Sequence, residues 1–267
     1  GHFPTFEYKT ILDNYPSVDS VGRFEGEQTV ADLADALGAG TGLDDVPNLV
    51  YRTPDGFREN PCVHEFPNLD TLPFPLRSRR MLERLGEKFA TLVSSRGCWH
   101  SKCLYCCIGA FHKDKPAPFA LRSAESVARE VAELFDKHGV RVFQFHDDNF
   151  TLADKAQTLA RIESLGRAFR GAGLDTDALG FVIKARPDVV DDEVGDALRD
   201  LGCTGAFLGV ENACQSGLNA LARATKMDRI QNALNVFTMR DMAVTYNLLV
   251  FHPRAKEEEY SANIEFV

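Results

Sequence analysis

The chain has 267 residues, 44% of them hydrophobic, with 39 acidic against 30 basic side chains and a net charge of −9. That is enough apolar content for one large domain or two smaller globular ones, and an acidic chain without a Lys/Arg run argues against a nucleic-acid partner. No apolar run approaches the roughly 18 residues of a membrane span, and no basic stretch followed by an apolar one opens the chain, so a cytoplasmic protein without a membrane span is expected.

The first sixty residues read as a patchwork. Glu7 to Asn14 has the look of a helix end, Val18 to Val21 of a short strand, and Thr29 to Leu37 of an amphipathic helix closed by Gly38 and Gly40. In NLVYRTPDGFREN, the Pro54-Asp55-Gly56 turn between two β-prone runs predicts a hairpin. The following PCVHEFPNLDTLPFPLRSRR carries four prolines and little periodicity, which marks a connector and a boundary between Pro61 and Arg80.

From Phe89 onward short β-prone runs alternate with helical segments: ATLVSS, VRVFQF, LGFVIKA, GAFLGV and VTYNLLVF. Ser123 can cap a helix whose Val127, Val131, Leu134 and Phe135 share one face and which Gly139 ends. Thr151-Leu152-Ala153-Asp154 has capping-box spacing and is expected to open the next helix, with Leu159, Ile162 and Leu165 inward. Asp191 or Asp192 caps a third helix, carrying Val194, Ala197, Leu198 and Leu201. Ile230, Leu234 and Phe237 mark a fourth. Five strands separated by helices imply a parallel sheet, open or curled toward a barrel.

Chemistry in such sheets collects at the C-terminal ends of the strands, where only the loops are free to converge. Those ends carry in turn a cysteine loop, then His146-Asp147-Asp148-Asn149, then Lys184 and Arg186, then Glu211 and Asn212, and last His252. The loop holds four of the seven cysteines, at the spacing Cys98-x4-Cys103-x2-Cys106 with Cys107 adjacent. Three thiolates on one loop can hold three irons of a four-iron four-sulfur cluster and leave the fourth iron open to a substrate or cofactor. Two other metal readings stand beside this one. A two-iron cluster of the plant ferredoxin type would recruit Cys203, and a zinc site would use Cys98, Cys103, Cys106 and His112. Cys62, Cys203 and Cys214 are isolated in apolar or connector segments and read as structural. From Ser94 to Lys115 the charges are Arg96, Lys102, Lys113 and Lys115 against Asp114, a net +3 that should favour an electron-rich cluster and an anionic ligand.

These stretches together resemble the cobalamin-binding radical S-adenosylmethionine (SAM) enzymes. RGCWHSKCLYC is similar to their cluster loop, FHDDNFT to the segment after the second strand, and KARPD and LGVENACQSGL to the third- and fourth-strand motifs. GHFPTF, VDSVGRFEGEQT and LDTLPFP resemble the tail of a cobalamin-binding domain and the linker after it. The resemblance implies an α/β fold: a partial (β/α)6 radical SAM barrel preceded by the C-terminal part of a Rossmann-like cobalamin-binding domain. Residues 1–60 would be that remnant, 61–88 the linker, and 89–267 the radical SAM domain, incomplete at its C-terminus, so that the chain reads as a portion of a longer enzyme. It further implies a four-iron four-sulfur cluster on Cys98, Cys103 and Cys106. SAM would lie with its adenine by Tyr105, its amino group by Asp147 or Asp148, and its carboxylate or ribose by Arg186 and Glu211. The parent protein would bind cobalamin, take electrons from a donor such as flavodoxin or ferredoxin, and methylate an unactivated carbon of a small molecule or peptide. A rearrangement or cyclisation is the alternative, and a non-catalytic iron-sulfur or zinc protein the alternative from another class. Two departures stand out. The family loop has three residues between its first two cysteines where this one has four, which requires a bulge, and Phe24 stands where a glycine is common.

Overall fold

In the computed structural model, residues 1–77, 82–84, 86–113, 115 and 117–267 are described. The N-terminal unit begins with α1 (His2–Asn14), which is interrupted at Glu7, where φ is −115°; only its second half was legible as helix. It continues through β1 (Ser20–Gly22), α2 (Glu27–Ala39), β2 (Leu49–Thr53) and β3 (Gly56–Glu59). The three strands form an antiparallel sheet, with the expected hairpin at Pro54-Asp55. Leu12, Val21 and Val50 are its small core, with Tyr8, Ile11 and Phe57 against them. Gly40 ends α2 in the left-handed region at φ 66°, which costs a residue without a β-carbon nothing.

The larger unit contains β4 (Leu82–Arg84), β5 (Glu87–Leu92), β6 (Ser95–Gly97), α3 (Cys107–Phe111), β7 (Phe119–Leu121), α4 (Ala124–His138), β8 (Val142–Phe145), α5 (Lys155–Gly171), β9 (Gly180–Ala185), α6 (Asp192–Asp200), β10 (Cys203–Glu211), α7 (Gln215–Ala220), α8 (Met227–Thr238), β11 (Ala243–Leu248) and α9 (Glu257–Phe266). The sheet order is β11-β10-β9-β8-β5-β4, with β5, β8, β9, β10 and β11 parallel and β4 antiparallel at the edge. Each parallel strand lies beside the next in sequence, so the helices fall on one face and every strand points its C-terminal end to the same rim. The sheet begins at Leu82, inside the stretch expected to be linker; β4 is too short to announce itself in the sequence.

The helix-facing side is dry. Phe143, Phe145, Phe150, Phe169 and Phe181 are fully buried, and Phe169 stacks on Phe181 at 5.2 Å and 9°. Each such burial is worth about 1.5–3 kcal/mol. The opposite side, with Phe89, Gln144, Val182, Phe207 and Thr245, lines an open cavity of about 560 Å³. Caps set the helix starts. Ser123 Oγ accepts from Ser126 N at 3.2 Å and Asp191 Oδ1 from Val194 N at 3.1 Å. The α5 cap differs from expectation: Asp154 accepts from Gln157 N at 2.8 Å, whereas Thr151 is buried and donates to Asn149 Oδ1 at 3.2 Å. The stronger acceptor, one turn nearer the helix, takes the cap.

Candidate active site

The cysteine loop hangs from a two-stranded neck. β6 and β7 pair antiparallel, and Cys98 N donates to Pro118 O at 3.2 Å. Gly97 at the neck has φ 84°, and a β-carbon there would drive into the Pro118 carbonyl oxygen. The extra residue between Cys98 and Cys103 is absorbed where Ser101 takes φ 44° and its hydroxyl bonds back to the Cys98 carbonyl. Cys106 N then donates to Cys103 O at 3.2 Å, and α3 starts directly after Cys106. Gly109 of α3 rests on the Ser101 carbonyl, so close that a β-carbon would collide with it. Cys98 and Cys103 are half-buried; Cys106 and Cys107 are exposed.

Contacts distant in sequence dock this loop on the rim. Leu104 N donates to Leu221 O at 3.1 Å, His100 Nε2 lies 3.0 Å from Ala222 O, and Trp99 Nε1 donates to Thr151 O at 3.1 Å. Two buried arginines reach Cys103 Sγ: Arg186 Nη1 at 3.9 Å and Arg223 Nη1 at 3.8 Å. Arg186 is braced by Asp188 Oδ2 at 2.7 Å and lies 5.0 Å over the Trp99 ring. Glu211 ends β10 at φ 68° beyond a bulge. Burial pushes its carboxyl above the usual range, while Arg223, Tyr105 and Arg186 pull the other way. Burial likewise raises the Tyr105 hydroxyl, which feels Arg223, Glu211 and Cys103. The structure thus brings Cys103, Tyr105, Arg186 and Glu211 together.

The paired aspartates separate in role. Asp147 is fully enclosed: Oδ1 accepts from Ser94 N at 2.7 Å and Ser95 N at 3.0 Å, and Oδ2 from Ser94 Oγ at 2.5 Å and Arg161 Nη2 at 3.4 Å. With both oxygens committed, it ties the end of β5 to the end of β8, and Asp148 alone faces outward. Asp148 is exposed, and its Oδ2 accepts from Gly97 N at 2.8 Å. It lines a cavity of about 380 Å³ with His146 and Lys184 on the rim and Glu25 and Phe24 of the N-terminal unit.

Two of the four cations counted in the cysteine segment are neutralised by the N-terminal unit. Arg96 pairs with Glu25 at 2.8 Å and Glu27 at 2.5 Å, and buried Lys115 with Glu25 at 3.3 Å. Asp114 lies outside the described residues. The cations that donate to Cys103 Sγ are Arg186 and Arg223, and Arg223 was missed because it follows β10 and α7 and its target is 120 residues away. His252 pairs with buried Glu259 at 2.8 Å. Cys203 sits at the opposite, N-terminal end of β10 and donates to Gly205 O at 3.4 Å, so the two-iron set built on it does not assemble. The His112 ring packs on Phe66 and Phe111, with Nδ1 4.0 Å from Glu25. Among the described residues no three His, Cys, Asp or Glu side chains gather tightly enough for a single metal ion. Three thiols spaced along one loop, with cationic N–H groups aimed at one sulfur, fit a cluster in which each thiolate holds its own iron.

Residues 92–267 match the model of the radical SAM superfamily. The chain belongs to that superfamily. It is a radical SAM enzyme domain, of a superfamily that works with a four-iron four-sulfur cluster and SAM. The chain is 25% identical over 273 residues to an uncharacterized methyltransferase of Pyrococcus horikoshii, covering 100% of this chain and 56% of the relative. It is 26% identical over 245 residues to an anaerobic magnesium-protoporphyrin IX monomethyl ester cyclase of Synechocystis, covering 91% and 47%. The chain therefore spans about half the length of the curated relatives it matches. The fold is that of TsrM from Kitasatospora setae, a radical SAM methyltransferase solved with cobalamin and a [4Fe-4S] cluster bound: TM-score 0.76, 18% identity, 99% of this chain and 51% of that one. This fold covers the N-terminal unit as well as the sheet. No helix among the described residues is long and apolar enough to cross a membrane.

Proposed function

We propose that the intact protein is a cobalamin-dependent radical SAM enzyme that methylates an unactivated carbon of a small molecule or peptide in the cytoplasm, reduced by a flavodoxin or ferredoxin. Cys98, Cys103 and Cys106 hold the cluster. The bound cluster and SAM would supply radical chemistry at this rim, the removal of a hydrogen atom from a substrate. Tyr105 flanks the adenine, Asp148 takes the amino group, and Arg186 and Glu211 take the carboxylate or ribose. Residues 1–60 are the C-terminal part of a cobalamin-binding domain, joined by a connector that ends where the sheet begins at Leu82. The single observation that carries this reading is the docking of the three-cysteine loop on the rim, with Arg186 and Arg223 turned to Cys103.

The protein's own work is positioning and exclusion of water. Phe24 supports the proposed domain junction. It takes φ 57°, the conformation that a glycine at this place adopts without cost, and packs on His64 at 4.6 Å and Phe111 at 5.6 Å. The likeness to the Synechocystis cyclase favours a second reading, ring formation in place of methyl transfer. Anaerobic turnover with methyl-labelled SAM separates the two. Label in the product supports methylation, 5'-deoxyadenosine with no transferred label supports cyclisation, and no SAM cleavage at all contradicts both.

A further inference from the structure

The turn between α7 and α8 is built under strain. Ala222 and Ala224 both lie in the left-handed region, at φ 53° and 50°, where a β-carbon is disfavoured. Such strain persists only where the surroundings over-determine it, and it gathers at functional sites. The residue between them is Arg223, 4% exposed. Its Nη1 points at Cys103 Sγ and its Nη2 donates to Gly209 O at 2.6 Å, while its own carbonyl accepts from Arg186 Nη2 at 2.8 Å. Leu221 and Ala222 on the same turn accept from Leu104 and His100 of the cysteine loop. The seat for the guanidinium also depends on Gly209, where a β-carbon would strike Arg223 Nη2 and lie 3.3 Å from Cζ.

We infer that Arg223 is a positioning residue for the cluster: it fixes the Cys103 thiolate and, together with Arg186, raises the reduction potential of the cluster which that thiolate holds. This rests on the function proposed above. Reduction adds one electron, and so one negative charge, to a cluster already held by anionic sulfur, and no bond breaks. Buried cationic N–H groups on a ligand sulfur stabilise that added charge more than they stabilise the oxidised form. The electron comes from the external one-electron donor.

The test is a redox titration of the intact, anaerobically reconstituted protein, with dithionite as reductant, paramagnetic resonance to follow the reduced cluster, and iron and sulfide analysis alongside. R223Q is expected to keep its iron and to show, at any fixed potential, at least a tenfold lower ratio of reduced to oxidised cluster, which is a shift of about 59 mV for a one-electron couple. G209A, which keeps the charge but pushes the guanidinium off its seat, should shift in the same direction, and R223K should fall between R223Q and the parent. R223Q with the parent's potential overturns the inference, and so does R223K shifted as far as R223Q. If R223Q does not load iron, G209A decides: a shift supports the inference and the parent's potential overturns it. A parent protein without any cluster would strike instead at the functional reading.

Discussion

Glu211 and Asp148 are the two rim carboxylates left to meet a ligand once Asp147 is committed to Ser94, Ser95 and Arg161. Glu211 is held at φ 68° in a place where burial raises its carboxyl, against the opposing pull of Arg223, Tyr105 and Arg186. Replacing Glu211→Gln or Asp148→Asn removes one charge-assisted hydrogen bond, worth about 1.5–3 kcal/mol, and should weaken SAM binding about 10- to 100-fold with full iron loading. Parent-like SAM affinity in both variants would return them to turn and strand-end residues. His112 carries a separate, pH-linked prediction. Burial, with Lys115, His2 and Arg96 adding to it, lowers its pKa to about 4, while the unfolded ring titrates near 6.5. Between those values the unfolded chain binds a proton that the folded one refuses. Stability from this group is therefore complete above about pH 6.5, falls as pH drops toward 4, and levels off below. Between pH 7 and 4.5 the parent should lose about 2–3 kcal/mol more than His112→Gln, measured by urea unfolding. Equal losses would show that the ring is not held neutral.

The loop and turn elements that make the site are short, and their shapes come from contacts far along the chain. The long elements were legible: α4 and α6 have their apolar stripes and their Ser123 and Asp191 caps, and β8, β9 and β10 their buried alternation. The three-residue β4 and five-residue α3 were not, because so few residues carry no period. The Arg223 turn was invisible for a different reason. Ala222 and Ala224 have no local preference for φ > 0, and the turn is held by partners far along the chain: the docked cysteine loop, Arg186 and Gly209. In the site, the cysteine spacing marked one loop, and position after β9 and at the end of β10 put Arg186 and Glu211 on the rim. Nothing local separated Asp147 from Asp148, since which neighbour turns inward depends on the strand's facing. Element packing also yields a prediction at Gly109. Its β-carbon would meet the Ser101 carbonyl, so Gly109→Ala should push α3 away from the Cys98–Cys103 segment. We expect iron loading to fall by at least half without loss of helical circular dichroism. Full loading would show that the loop does not depend on that approach.

Across the whole molecule the two units meet at charge and aromatic contacts around the cysteine loop. Glu25 of the N-terminal unit takes both Arg96 and Lys115, Lys115 also lies 3.8 Å over the Phe66 ring, and Phe111 of α3 packs against His2 and Phe24. A ligand in the cavity between them would touch the β6 neck, the end of α3, the rim and the N-terminal unit together. On the proposed function, Cys98, Cys103 and Cys106, and not Cys107, hold a four-iron cluster on this rim. Anaerobic reconstitution of the intact protein followed by iron and sulfide analysis tests it most directly, with each cysteine of the loop changed to alanine in turn. About four irons and four sulfides per chain are expected in the parent and in Cys107→Ala, and loss of the cluster in Cys98→Ala, Cys103→Ala and Cys106→Ala. About two irons, zinc alone, or a cluster lost with Cys107 and kept without Cys106 would contradict it.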